Sequence, residues 1–404
     1  MKVLLARLLG FGSLPLLASL APLLLLGIVS RASTLDQWAA LNIGQAIGSF
    51  ATAATMFGWQ VVGPPAVALT PSESGRRTTY ASSWWLRLGV FGVVTPAAVA
   101  LSVVASPGGT GGLAALMCVA AAMSGLSMTW YAIGVGRARL ITGFEVLPRM
   151  LALAVGAGLV AVTREPSWYP AAIVGGIVVA LTVFHRRYFS WSIPPWPGAT
   201  ALRAAVRTSA PGAGVLMLAG VRSAAPVPAA TLVGATGSVA FLASADRLYR
   251  YSLFSVSALG DALQNWVLEQ GGRGRRQRVA LVLHGALGVG GALGLAVLGP
   301  WTTGVLWGAH VASPPDFFRG YAVAFFFVSV GTPLVRNILV PRARTGYVLL
   351  SDAAGLVCGA GAAFPLVAGL GATGVPWALA VAEGVSVVGY VSAVVVARRA
   401  PDPR

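Results

Sequence analysis

Long apolar runs alternate with short polar segments along almost the whole chain, at about 8–30, 38–63, 84–105, 113–135, 146–163, 169–185, 208–233, 236–268, 279–300, 320–340, 346–367 and 373–396. Most are close to the ~20 residues a helix needs to cross a bilayer, so the pattern predicts about twelve transmembrane helices. The run at 236–268 is longer than a membrane requires and should tilt or project from it. The longest polar connection, 186–207, holds Pro194, Pro195 and Pro197. It separates an N-terminal six-helix bundle (1–190), through a cytoplasmic linker (191–207), from a C-terminal six-helix bundle (208–404). An even number of spans per half gives both halves one orientation, a parallel repeat about the membrane normal. The expected architecture is an all-α polytopic membrane protein, two bundles around a central cavity.

Charge fixes the orientation. Of 28 basic residues, 22 fall at the termini or in alternate connections: Lys2 and Arg7, then groups at Arg76–Arg87, Arg137–Arg149, Arg186–Arg207, Arg273–Arg278, Arg336–Arg344 and Arg398–Arg404. The intervening connections hold only Arg31, Arg164 and Arg319. Short loops rich in Lys and Arg stay cytoplasmic, which places both ends inside and the protein in the inner (cytoplasmic) membrane. A net charge of +17 raises the question of nucleic acid. That reading needs a basic face or stripe, whereas these residues are shared among seven segments beside spans, where anionic lipid accounts for them. With 56% apolar and 10% charged residues the chain lies outside the soluble range. The first run follows Lys2 and Arg7 but is longer than a signal h-region, so it is read as an uncleaved helix.

Charges inside spans are costly and usually face a partner or an aqueous pathway. The run at 236–268 concentrates them. At about 100° per residue, Asp246, Arg250, Ser257, Asp261 and Gln264 fall within roughly 60° of one another, while Leu248, Val256, Leu259 and Leu263 lie opposite. Arg247 borders the stripe. Two readings stand: Asp246 and Arg250, at i and i+4, neutralise each other, or the stripe lines a passage in which Arg222, Arg247 and Arg250 offer planar forks to an anion. Asp246, Asp261 and Glu383, the last mid-way along the twelfth span, are candidate proton-coupling groups or ion-pair partners. Arg31 and Asp36 flank the first outer turn, where Arg31 could rim an outward cavity. Pro226 and Pro228 should break the seventh helix, tolerated only against protein or water. Glu145, Arg149, Arg336 and Asp352 lie near inner helix ends, where snorkelling explains them. Trp38, Trp84, Trp85, Trp168, Trp191, Trp301 and Trp377 read as interfacial belts.

No Walker sequence is present, and His185, His284 and His310 are too far apart for metal-ligand spacing. Cys118 and Cys358 sit singly in apolar runs. The chain therefore implies no cofactor, no metal and no catalytic centre.

Several stretches resemble bacterial polysaccharide repeat-unit flippases (Wzx-like) of the multidrug/oligosaccharidyl-lipid/polysaccharide flippase superfamily. They are Ile28–Ile47 with Gly58-Trp-Gln, Gly237–Leu248, Arg336–Gly346, and Gly371–Ala380 with Glu383. The resemblance implies alternating access between two bundles. A lipid-linked, diphosphate-bearing oligosaccharide would be passed across the membrane with its head group in the cavity, and polysaccharide polymerase and glycosyltransferases would be partners. On this expectation Arg222, Arg247, Arg250 and Arg31 take the anionic head group, with Asp246, Asp261 and Glu383 as coupling groups. Two other readings remain open: a multidrug-type cation antiporter of the same superfamily, which calls for a more acidic cavity, and a membrane polymerase or glycosyltransferase, which calls for a catalytic outer loop.

Overall fold

The computed structural model describes residues 23–399 apart from 191–192, 232–235, 269–272 and 343. Every regular element in it is helical. Seven stretches are long and apolar enough to cross a membrane: Glu73–Ala105, Gly111–Gly134, Arg139–Thr163, Trp168–Phe189, Gly274–Trp307, Pro315–Arg342 and Thr345–Val396, the last holding a helical hairpin. The protein is an all-α multi-pass membrane protein. The described residues separate into two compact units, 25–231 and, together with 23–24, 236 onward.

In the first unit the described chain opens with α1 (Leu23–Ala32), the second half of the first expected span. A tight turn follows, closed by Thr34. Its hydroxyl accepts from the Gln37 amide at 3.2 Å, and the Gln37 side chain accepts from the Thr34 amide at 2.9 Å. This reciprocal cap starts α2 (Leu35–Met56). Then come α3 (Trp59–Ala68), α4 (Glu73–Ala105), α5 (Gly111–Met123), α6 (Thr129–Gly134), α7 (Ala138–Ile141), α8 (Leu147–Thr163), α9 (Trp168–Phe189), α10 (Ala199–Ala224) and α11 (Pro226–Thr231). The seventh leg breaks at Ala225, one residue before Pro226, as the paired prolines require. Its α10 packs on α2, α3 and α4 of this same unit. Thus the unit boundary falls after Thr231, beyond the 191–207 linker.

The second unit contains α12 (Thr236–Leu268), α13 (Arg273–Trp307), α14 (Pro315–Leu334), α15 (Thr345–Leu370) and α16 (Gly374–Arg399). Here α12 packs on α13 and α14, α13 on α14, and α16 on both α14 and α15.

Both units are zipped by small residues. In the first, Gly44 and Gly48 of α2 lie against Ala114 and Cys118 of α5, where a Cβ at Gly48 would stand 2.5 Å from the Cys118 carbonyl oxygen. In the second, Gly355 and Gly359 of α15 meet Ala378, Ala382 and Ser386 of α16, and a Cβ at Gly359 would come within 2.7 Å of the Ala382 methyl. Lipid tails offer helices no hydrophobic drive to associate, so such four-residue spacing brings backbones close enough for dispersion to hold them.

Each unit also interrupts one leg with a wide, π-type turn, Thr142–Val146 before α8 and Val335–Leu339 after α14. Such turns cluster where a side chain must be re-aimed. Both carry an ionisable residue, Glu145 and Arg336.

Candidate functional site

In the second unit, Asp246 lies about a third of the way along α12 and is 4% exposed. Its Oδ2 accepts from Arg250 Nε at 2.5 Å and its Oδ1 from Arg250 Nη2 at 3.3 Å. The hydroxyl of Tyr321 on α14 donates to Oδ1 at 3.1 Å. Tyr321 in turn stacks on Tyr249 at 4.8 Å between ring centroids. The carboxylate is thus held by a forked guanidinium and a phenol. A buried charge needs such partners. The side chain of Arg250 keeps 36% exposure. Arg247 is half-buried beside it. The i, i+4 pair was legible in the sequence; Tyr321 was not. It stands in a Phe-rich helix with Phe317, Phe318 and Phe325, and only the demand of a buried hydroxyl for a partner would single it out.

The polar stripe of α12 divides along its length. Asp246 is buried, whereas Ser257 and Asp261 are exposed. Asp261 pairs with Arg336 Nη1 at 2.5 Å, tying α12 to the wide turn after α14. Glu383 is buried on α16 at 6% exposure. Its neighbour Ala382 faces α15 and its neighbour Gly384 faces Phe327 of α14. Arg31, in the first unit, is exposed and donates to the Gly27 carbonyl at 3.0 Å. The side chains of Arg222 and Gln264 lie outside the described residues.

The first unit buries an arginine of its own. Arg87 sits two-fifths of the way along α4 and is fully enclosed, not part of a cytoplasmic connection as the grouping of basic residues implies. Its Nη1 donates to the carbonyls of Gly125 at 3.1 Å and Ser127 at 2.7 Å, its Nε to Ser83 Oγ at 3.0 Å, and it lies 5.8 Å from the Trp130 ring centroid. Between α5 and α6 the fourth leg breaks, leaving carbonyls without amide partners, and the guanidinium supplies the donors. The Ser127 hydroxyl then donates to Glu145 Oε2 at 2.6 Å in the wide turn before α8. Around this centre Tyr80 is enclosed by Phe189, Tyr131, Phe184 and His185, its hydroxyl 2.9 Å from His185 Nε2.

Several residues placed at helix ends are engaged instead of snorkelling: Glu145 with Ser127, Arg336 with Asp261, and Asp352 with the Tyr390 hydroxyl. Trp38 and Trp84 are packed inside at 0% and 7% exposure, whereas Trp168 and Trp301 are exposed as a belt demands. Among the described residues no group of three His, Cys, Asp or Glu side chains is placed to hold a metal.

Neither a family model nor a curated protein matches the sequence. Solved structures do match the fold. The lipid II flippase MurJ in an inward closed conformation superposes with a TM-score of 0.69 at 14% identity, over 94% of this chain and 86% of that one. An inward-facing multidrug resistance MATE family transporter of the MOP superfamily gives 0.65 at 15% identity, over 94% and 96%. The eukaryotic MATE transporter AtDTX14 gives 0.65 at 13% identity, over 98% and 96%. The fold of this chain is therefore like that of these solved structures.

Proposed function

We propose that this chain is a transporter that moves a lipid-linked, negatively charged glycan across the cytoplasmic membrane by alternating access of its two units. The observation that carries the reading is the Asp246–Arg250–Tyr321 group, a buried carboxylate holding a guanidinium whose side chain keeps 36% exposure. In this reading Arg250 and its neighbour Arg247, with Arg222 and Arg31, receive phosphate or acidic sugar. Arg suits that task because its planar fork binds two oxygens at once. Asp246 and Glu383, the buried carboxylates, are the coupling groups. Protonation of Asp246 would loosen its hold on Arg250 and free the guanidinium for substrate. Asp261, already paired with Arg336 and open to solvent, is the outlying coupling candidate. Support for a lipid-bearing substrate comes from the likeness to a lipid II flippase. Glycosyltransferases would stand upstream and a polymerase downstream as partners, and the chain itself would need no catalytic residue.

The MATE likenesses favour a second reading, a cation antiporter in which buried Asp246 and Glu383 bind the drug or the proton. One experiment separates the two. In cells whose chromosomal copy is deleted, lipid-linked oligosaccharide should collect on the inner leaflet and clear when the wild-type chain is restored. Arg250→Gln, checked for equal protein level, should fail to clear it. Clearance at the wild-type rate by that variant would remove Arg250 from the site, and no accumulation in the deletion, together with lost drug resistance, would favour the antiporter.

A further inference from the structure

The first turns of α13 sort their polar residues by direction. Arg276 turns inward, donating from Nη1 to the Trp266 carbonyl at 2.8 Å with its guanidinium 5.4 Å from that ring's centroid. Gln277 also turns inward, donating to the Asn337 carbonyl at 3.1 Å. These two contacts fix the rotation of the helix about its axis. They leave Arg275 and Arg278 on the outside, both exposed and neither paired with a described residue. The two stand one turn apart, and Val279, Val282 and Leu283 complete a shallow groove with them.

The same face continues down the helix as an apolar ridge. Val282, Val289, Leu293 and Val297 are 69%, 52%, 61% and 70% exposed, with Ala286 between them. Their spacing of three and four residues keeps them on one side of α13. This helix is one of the stretches apolar enough to span a bilayer, so the ridge meets acyl chains. At its upper end two unneutralised guanidiniums stand where the hydrocarbon gives way to head groups. An unpaired cation beside a tail-lined groove is complementary to one class of molecule that every bilayer supplies.

From this arrangement we infer that Arg275 and Arg278 form a binding site for a single anionic phospholipid, its phosphate held between the two guanidiniums and one acyl chain laid along Val279, Val282 and Val289. Arginine forks bind phosphate oxygens in pairs, and basic pockets beside membrane helices on the Arg-rich side select anionic head groups. The inward pair, Arg276 and Gln277, are positioning residues that orient the site. The occupant is a structural lipid of the leaflet on the Arg-rich side, distinct from any transported molecule, because the groove opens outward within the second unit alone.

The test uses the full-length protein purified in mild detergent and titrated with phosphatidylglycerol or phosphatidylethanolamine while bound lipid is counted by native mass spectrometry. Wild type should retain one phosphatidylglycerol in preference to phosphatidylethanolamine. Arg275→Gln/Arg278→Gln should weaken that retention by roughly thirtyfold, taking the usual surface attraction per guanidinium. Val282→Asn should weaken it without changing the charge. Arg203→Gln/Arg207→Gln, which removes the same charge from α10, should leave it intact. Equal retention by wild type and the α13 double variant would overturn the site, as would an equal loss in the α10 control. Inorganic phosphate displacing the lipid at millimolar concentration would also overturn it, by showing that the groove reads phosphate without the tail. All four substituted arginines and Val282 are exposed, and thermal unfolding of each variant confirms that the fold is retained.

Discussion

Each unit holds an arginine among packed helices, one buried and one half-buried, and the two are neutralised by opposite means. Arg87 is fully enclosed and is held by backbone carbonyls at a helix break, with the nearest carboxylate, Glu145, reached through Ser127. Arg250 is partly open and is held by a carboxylate four residues away on its own helix. In the first unit the guanidinium serves the backbone and cannot leave without stranding two carbonyls. In the second the partner is a side chain whose charge a single proton can cancel. One arrangement is a fixture; on the proposed function the other is the one that responds. That difference is what a transporter with one rigid and one responsive centre would need.

The comparison can be broken most directly at Arg87. Arg87→Ala should cost about 3–5 kcal/mol, since it strands buried carbonyls that a charged donor now satisfies. Thermal unfolding in detergent would measure it, and a loss below about 1 kcal/mol would mean that the break is satisfied some other way. Next come the glycine seams, which the two units share. Gly44→Val and Gly355→Val should each cost about 2–3 kcal/mol through forced separation of helices, and a large effect in only one would show that the units are zipped unequally. Smaller effects follow at the responsive centre. Because Arg250 is one-third exposed, a double-mutant cycle of Asp246→Asn with Arg250→Gln should give a stability coupling of only about 1–2 kcal/mol. Transport should nevertheless be abolished in both single variants. A coupling as large as the loss at Arg87 would make the second centre a fixture too. Least of all, breaking Asp261–Arg336 by Asp261→Asn should change stability by at most about 0.5–1 kcal/mol, as expected of a solvent-exposed pair.

Much of the second unit was legible in the sequence. The extent of α12 at 236–268 follows from its apolar run, and the Asp246–Arg250 pair from its spacing. In the first unit, the break at Ala225 likewise follows from two prolines. The first unit's centre was hidden for a definite reason. Arg87 stands near the apparent polar edge of a run because Arg76, Arg77, Ser82 and Ser83 precede it, yet α4 begins at Glu73 and carries those residues inside the helix. Hydropathy marks where hydrocarbon-compatible residues stop, and a helix that continues past that point into a protein-filled head-group layer leaves no mark of its own. Trp84 was misread as interfacial for the same reason: an aromatic belt and a buried aromatic cluster have one composition and differ only in what surrounds them. Tyr321 required knowledge that α14 lies against α12, which no local pattern carries.

The wide turns at Thr142–Val146 and Val335–Leu339 each store one surplus residue inside a membrane leg. Such a surplus is portable: when it passes a neighbouring position, the side chain there swings by about 100° while the helix on either side keeps its hydrogen bonds. A swing of that size at Arg336 would carry it out of reach of Asp261 and open that one tie to α12, without any helix having to melt. Rotation of one residue at a time is an inexpensive way for a close-packed bundle to change shape.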